Sequence, residues 1–141
     1  MSTQMFARVL GIVFLLIGAA GFVPGLLTEH HHADVTLDTG LGFLLKLFAV
    51  NVAHNAVHLL FGVWGLLAGR SMTAAATYGK VVGVSYGLFA ILGLIPAMKL
   101  WTVFGFIPLY GHDVWLHALI AAVATYYGFA PHDREAIEDT F

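Results

Sequence analysis

Four polar residues recur at helical spacing inside the apolar stretch of residues 41–68: Asn51, His54, Asn55 and His58. Steps of three and four positions return to the same face of an α-helix, so these side chains would share one narrow stripe. Polar groups on an apolar helix cost free energy unless they meet partners, so we expect the stripe to face the protein interior. The stripe is therefore the leading candidate for a functional site.

A second titratable pair, Asp113 and His117, has the same i, i+4 spacing in the last apolar segment. If the two segments face each other, three imidazoles and one carboxylate would converge, which suits Zn²⁺ and, in other geometries, Cu or Fe. The predicted metal ligands are His54, His58, Asp113 and His117. Hydrogen bonds from a second layer would fix the ring tautomers. The residues predicted for that layer are Asn51, Asn55 and Tyr110.

Two other interpretations of the cluster stay open. A b-type haem would take His58 and His117 as axial ligands, although the remaining polar side chains would crowd its apolar ring. A cofactor-free hydrogen-bond network would fix the register of the helices, as in a structural or accessory subunit of a larger membrane complex. We find no nucleophile motif, phosphate-binding loop or pair of catalytic carboxylates, so the sequence does not indicate an enzyme.

Composition predicts an integral membrane protein. Of the 141 residues, 60% are hydrophobic and 10% are charged, whereas an average soluble domain is about 25% charged. The mean hydropathy is +0.87. The lipid bilayer is therefore the expected partner, with other membrane proteins or a second copy of the chain as further candidates. The net charge of −2 argues against nucleic-acid binding, and the lack of cysteine excludes thiolate metal sites.

Hydrophobic periodicity predicts an all-α fold in one domain, residues 1–130. The four expected transmembrane helices cover about residues 5–27, 41–68, 80–100 and 112–130, and a short charged tail follows at 131–141. A signal peptide is the competing interpretation of the first segment. We favour a membrane helix because the same pattern recurs later in the chain.

That recurrence predicts two repeated helical hairpins. Residues 8–24 align with residues 80–96 without a gap, and the alignment pairs a basic residue, two glycines and a proline in each segment. Setting His58 against His117 aligns the second and fourth helices and places His54 opposite Asp113. Two such hairpins would be related by a pseudo-two-fold axis along the membrane normal, giving a four-helix bundle.

The distribution of cations predicts the orientation in the membrane. Four cations fall at one predicted face and two at the other: Arg8, Arg70, Lys80 and Arg134 against Lys46 and Lys99. The positive-inside rule then places both termini in the cytoplasm and the polar segment 28–40 outside. That segment contains the triplet His30-His31-His32, which we interpret as a solvated loop, with a surface metal-capture loop as the alternative.

Three motifs together resemble a family of small bacterial membrane proteins. They are Arg-Val-Leu-Gly-Ile at residues 8–12, Asn-x-x-His-Asn-x-x-His-Leu-x-x-Gly-x-x-Gly at 51–65, and Pro-Leu-Tyr-Gly-x-Asp-x-x-Leu-His at 108–117. The pattern is similar to that of domain of unknown function 4383, over about residues 8–129. The resemblance implies a four-helix architecture and a multi-pass protein of the bacterial inner membrane. It implies no activity.

Overall fold

A computed structural model describes residues 1–130. The helices are α1 (Thr3–Ala20), α2 (Val52–Ala68), α3 (Met72–Gly93) and α4 (His112–Phe129). The strands β1 (Leu27–Glu29), β2 (Gly42–Leu44) and β3 (Phe48–Val50) form an antiparallel sheet in that order. The protein is therefore mostly helical as predicted, but not all-α. The tail predicted at 131–141, with Arg134, lies outside the described residues.

The helix predicted over residues 41–68 is wrong for its first eleven residues. Residues 42–50 form the β2–β3 hairpin, whose turn places Leu45 and Lys46 in the left-handed region, with φ of 52° and 63°. The cause is a short apolar run with a strand partner: Phe43 pairs with Thr28 on one side and with Ala49 on the other. Periodicity alone cannot separate such a run from a buried helix.

The bounds of two other helices also differ from the prediction. Helix α3 starts at Met72, because the Ser71 hydroxyl accepts a hydrogen bond from the Ala74 amide at 3.2 Å and caps the helix. It ends at Gly93, so the expected helix over 80–100 is shifted towards the N-terminus. Helix α1 ends at Ala20, ahead of a short 3₁₀ turn at Pro24–Leu26. The bounds of α4 agree with the prediction.

The helices pack in two pairs, α1 against α2 and α3 against α4, and α1 also touches α3. Glycines let the backbones approach closely within each pair. A Cβ atom added to Gly11 would lie 2.8 Å from the Gly62 carbonyl oxygen, and one added to Gly83 would lie 3.1 Å from the Thr125 nitrogen. The largest buried core side chains between the pairs are aromatic and include Phe14, Tyr78 and Tyr86.

Two helices of the described region, α1 and α3, are long and apolar enough to cross a membrane, whereas α2 is a shorter apolar helix. The four predicted spans are thus met in part. Only 33% of the apolar window in α1 and 39% of that in α3 are buried within the protein. A helix from the core of a soluble protein would be mostly buried, so these exposed apolar faces are consistent with contact with lipid.

We predict that Gly11→Val lowers the free energy of unfolding by about 1–3 kcal/mol, because the new methyl groups would push α1 away from α2. Gly25→Val is the matched control, since a Cβ there meets nothing within 4 Å. The measurement is thermal unfolding of both variants in the same detergent. Equal midpoints for the two variants would contradict the proposed role of close backbone approach at Gly11.

Candidate functional site

Three histidines converge in the interior of the protein. His54 and His58 lie one turn apart on α2, and His117 faces them from α4. Their exposed fractions are 2%, 6% and 2%. Each offers one ring nitrogen such that all three nitrogens lie within 4.8 Å of one another. The ring centroid of His54 lies 4.6 Å from that of His58 and 5.8 Å from that of His117.

The histidine cluster carries polar atoms without partners. The Nδ1 atoms of His54, His58 and His117 are buried and make no hydrogen bond within the described residues. Buried polar atoms normally have a partner, because desolvation without one costs free energy. Three neighbouring histidines that each have an unpartnered buried nitrogen are typical of a site that binds an ion or a small ligand.

A cavity of about 20 Å³ lies among the three rings. This volume accommodates the centre of about one water molecule or ion. It is much smaller than a porphyrin, so the geometry favours a metal ion over a haem with His58 and His117 as axial ligands. The donor set of three neutral imidazoles fits a single metal ion, which imidazole ligands bind readily.

Aromatic side chains from α1 and α3 hold two of the imidazoles. Phe14 stacks on His58 with ring centroids 5.6 Å apart and planes 14° from parallel. Tyr86 meets His117 edge-on at 5.1 Å and also lines the small cavity. Its hydroxyl is buried and has no partner in the described structure. Sequence reasoning missed Tyr86, although a hydroxyl in an apolar helix was a usable signal, because buried tyrosines usually find a hydrogen-bond partner.

Asp113 does not join the three-histidine group, so the structure assembles three of the four predicted ligands. Its side chain is 2% exposed and stands in the first turn of α4, where the helix dipole favours a carboxylate. Its Oδ2 atom has no hydrogen-bond partner in the described region. It faces a separate apolar cavity, of which His58 forms another part of the wall.

The Asn51 side chain makes its hydrogen bonds to three backbone groups, and none of these bonds is to an imidazole ring. Its Oδ1 accepts from the His54 amide at 2.9 Å, which caps α2. Its Nδ2 donates to the carbonyls of Leu37 and Phe106, both at 2.8 Å. One side chain therefore joins the start of α2 to two loops. The Asn51 carboxamide therefore hydrogen-bonds to backbone, and not to the histidine rings as predicted from the sequence.

Asn55 and Tyr110 also lie apart from the three rings. The Asn55 carboxamide packs against Gly21, where any Cβ would collide with it, and neither its oxygen nor its nitrogen has a partner in the described part of the chain. The Tyr110 hydroxyl lies 2.8 Å from Nε2 of His30. Burial and, less strongly, Asp113 raise the pKa of Tyr110 to about 12. Tyr110 therefore stays neutral and anchors the loop instead of binding the ion.

The histidine triplet is divided between packing and solvent. His32 stacks on Tyr110 at 4.5 Å, and Trp101 donates from Nε1 to Asp34 at 2.9 Å beneath the same loop. Burial, and then the neighbouring His32 and His31, lower the pKa of His30. His31 is exposed and lies 3.0 Å from Glu29. The only cluster of three possible metal-binding side chains within residues 1–130 is the buried one, so the triplet does not form a second.

Comparisons with known proteins identify a family and no characterised relative. The sequence model of one family, described as a domain of unknown function (DUF4383), matches residues 4–130. No curated protein and no solved structure matches the chain. The match covers all four helices and all three histidines of the cluster.

We predict that Asn51→Ala lowers the free energy of unfolding by about 2–4 kcal/mol, because it removes a helix cap and leaves two loop carbonyls without their donor. Ser71→Ala, which removes the exposed cap of α3, should cost about 1 kcal/mol. Chemical denaturation of the two variants in detergent measures the difference. A cost at Asn51 no larger than at Ser71 would show that the loop contacts contribute nothing.

Proposed function

We propose that the chain, which belongs to the family of domain of unknown function 4383, is a multi-pass membrane protein that holds one metal ion through His54, His58 and His117. The observation that carries the proposal is the set of three buried ring nitrogens within 4.8 Å of one another. Metal–nitrogen bonds of about 2.0–2.1 Å need donors roughly 3–4 Å apart, which small rotations of the rings supply.

The charge of the site favours monovalent copper. All three donors are neutral imidazoles, and the carboxylate of Asp113 stands outside the group. The cost of moving an ion into an apolar interior rises with the square of its charge, so a monovalent ion is far less costly to bury than a divalent one. Zn²⁺ or Fe²⁺ in the same place would depend on the nearby Asp113 for compensation. Imidazole is a suitable ligand for all three metals.

Corresponding contacts support the proposed architecture of two repeated hairpins. In the sequence alignment, α1 and α3 are offset by 72 positions, and α2 and α4 by 59. Gly11 approaches Leu66, and its counterpart Gly83 approaches Thr125, the counterpart of Leu66.

The same correspondence holds at both ends of the helix pairs. Near the start of α1, the Gly69 position contacts Arg8. Its counterpart Gly128 contacts Lys80, the residue of α3 that aligns with Arg8. Near the end of α1, the Gly21 position contacts Asn55. Its counterpart Gly93, at the end of α3, contacts Val114. These residues pair off under the same two offsets, so the contacts between helices repeat together with the residues.

Exposed apolar side chains support placement of all four helices in the membrane. Each helix presents one that is more than half exposed, namely Leu16 at 65%, Leu60 at 71%, Val84 at 67% and Leu119 at 55%. A surface that is apolar around the whole helical body suits lipid and would be costly in water. Together with the positive-inside rule, these side chains support our proposal that the protein lies in the bacterial inner membrane with both termini in the cytoplasm.

We predict that purified protein carries about one metal ion per chain and that His117→Ala loses it. His112→Ala is the matched control, since His112 stands five residues earlier on the same helix, is exposed, and bonds the Trp115 indole. Asp113→Asn should retain the ion if it is monovalent. Elemental analysis gives the stoichiometry, and X-ray absorption at the copper edge identifies the metal and counts its nitrogen ligands.

Two outcomes of this experiment contradict the metal site, and a third contradicts the choice of monovalent copper. Wild-type protein free of stoichiometric metal, even after incubation with Cu⁺ or Zn²⁺, would leave the cluster as a cofactor-free network of an accessory subunit. Equal metal content in the His112 and His117 variants would place the ion elsewhere. Loss of metal from Asp113→Asn would replace monovalent copper by a divalent ion that requires the carboxylate.

We predict that single cysteines at Ser2 and Thr36 face opposite sides of the membrane. Both positions are exposed, and the chain has no native cysteine. An impermeant thiol reagent should label Thr36→Cys in intact spheroplasts and Ser2→Cys only after lysis. Labelling of both positions in intact spheroplasts would refute the orientation.

A further inference from the structure

An apolar cavity of about 260 Å³ adjoins the histidine cluster on its Asp113 side. Its wall is built mainly from the β2–β3 hairpin and from α4, through Leu44, Phe48, Val50 and Leu116. Its polar groups are His58, which also belongs to the cluster, and Asp113. No lysine or arginine lines it within the described residues.

This cavity is the counterpart of the small one among the imidazoles. The small cavity is lined by Val103, Ile107 and Leu109, which stand 59 positions after Leu44, Phe48 and Val50 of the large one. The same offset links the two polar residues, His54 in the small cavity and Asp113 in the large one. The two hairpins therefore build two related cradles, one on each side of the histidines.

The two cradles differ in size and in chemistry. The one at His54 measures about 20 Å³ and the one at Asp113 about 260 Å³. Phe89 fills part of the small cradle, whereas Ile17 stands at the corresponding position of the large one, 72 residues earlier. The small cradle suits an ion, and the large one has room for a molecule of several heavy atoms.

The Asp113 carboxyl needs a partner in the large cradle. It is 2% exposed, and its Oδ2 has no hydrogen-bond partner in the described structure. An anionic ligand is disfavoured, because the wall contains the Asp113 carboxyl group and no lysine or arginine to neutralise the ligand's charge. An ammonium ligand would be repelled by a metal cation bound through His58, on the opposite side of the wall. A neutral hydroxyl complements the site, because it donates to a carboxylate and accepts from a carboxylic acid.

We propose that the large cradle binds a neutral amphiphile with a hydroxyl head group, such as an alkylphenol, whose hydroxyl bonds Asp113 and whose apolar body fills the space between α1 and α4. The hydrocarbon body matches the aliphatic and aromatic wall. We orient the apolar end towards lipid, because Ile17 and Leu116 line the cavity and the exposed Leu16 and Leu119 belong to the same two helices. The proposal uses the metal site only to exclude an ammonium head group.

The test uses full-length protein in lipid nanodiscs with 4-butylphenol as the probe. Equilibrium dialysis against empty nanodiscs of the same lipid subtracts partitioning into the bilayer. We expect saturable binding of about one probe per chain. The methyl ether 4-butylanisole, which cannot donate, should bind at least ten-fold more weakly, as expected for the loss of one buried hydrogen bond to the Asp113 carboxyl group. Butylammonium should not compete.

Two variants test separately the hydrogen bond to Asp113 and the volume of the cavity. Asp113→Leu removes the acceptor and should weaken 4-butylphenol at least ten-fold, while leaving 4-butylanisole unaffected or improved. Ile17→Phe installs the residue that the small cradle already accommodates at the matching position, and it should abolish saturable binding. Far-UV circular dichroism and gel filtration establish that each variant is folded.

Failure of the metal proposal is distinguishable from failure of this one. His117 does not line the large cradle, so His117→Ala should lose the metal and still bind 4-butylphenol. Equal uptake of the probe by protein-containing and empty nanodiscs would overturn the proposal. So would tighter binding of butylammonium, or undiminished 4-butylphenol binding in a folded Ile17→Phe variant.

Discussion

The geometry of the site depends on the three hydrogen bonds of Asn51. This side chain is fully buried and satisfies one amide at the start of α2 and two carbonyls from loops far away in sequence. The cap decides where β3 stops and α2 begins, and so it sets the depth and the rotation of His54 and His58. Because the bonds to Leu37 and Phe106 tie the helix start to loops from both halves of the chain, an error at this point would displace both rings together.

The second organising feature is a difference between aligned positions of the two halves of the chain, one containing α1 and α2 and the other α3 and α4. Phe14 and Tyr86 occupy corresponding positions 72 residues apart, and each packs on the histidine of its own half, His58 or His117. The correspondence breaks at two further pairs of positions. His54 completes the three-nitrogen set, whereas Asp113 stands at the matching position of the other cavity. Phe89 fills part of the small cavity, whereas the smaller Ile17 stands at the matching position of the large one.

Much of this arrangement could be predicted from the sequence, and the failures have physical causes. The polar stripe of α2 and the partner His117 were evident because steps of three and four define a helix face without knowledge of the fold. The strands at Gly42–Leu44 and Phe48–Val50 were not, because the pairing that stabilises them comes from a distant segment, Leu27–Glu29. Asp113 has the correct spacing for a ligand, but the same spacing also allows it to face the neighbouring cavity. Tyr86 was missed because a single tyrosine in an apolar helix does not show in sequence which partner it packs against.

The position of His117 on the last helix determines when the histidine cluster can exist during synthesis. Helices α1 and α2 contain two of the three imidazoles, and Arg8 joins their ends through a 2.9 Å bond from Nε to the Gly69 carbonyl. This first hairpin can close once residue 69 has emerged from the ribosome, since the contacts between α1 and α2 need no residue of the second half. The third nitrogen is added only after α4 has been synthesised and has packed against α3. The cluster of three imidazoles is therefore completed only after both helix pairs have been made, whereas its first two imidazoles come together within the first hairpin.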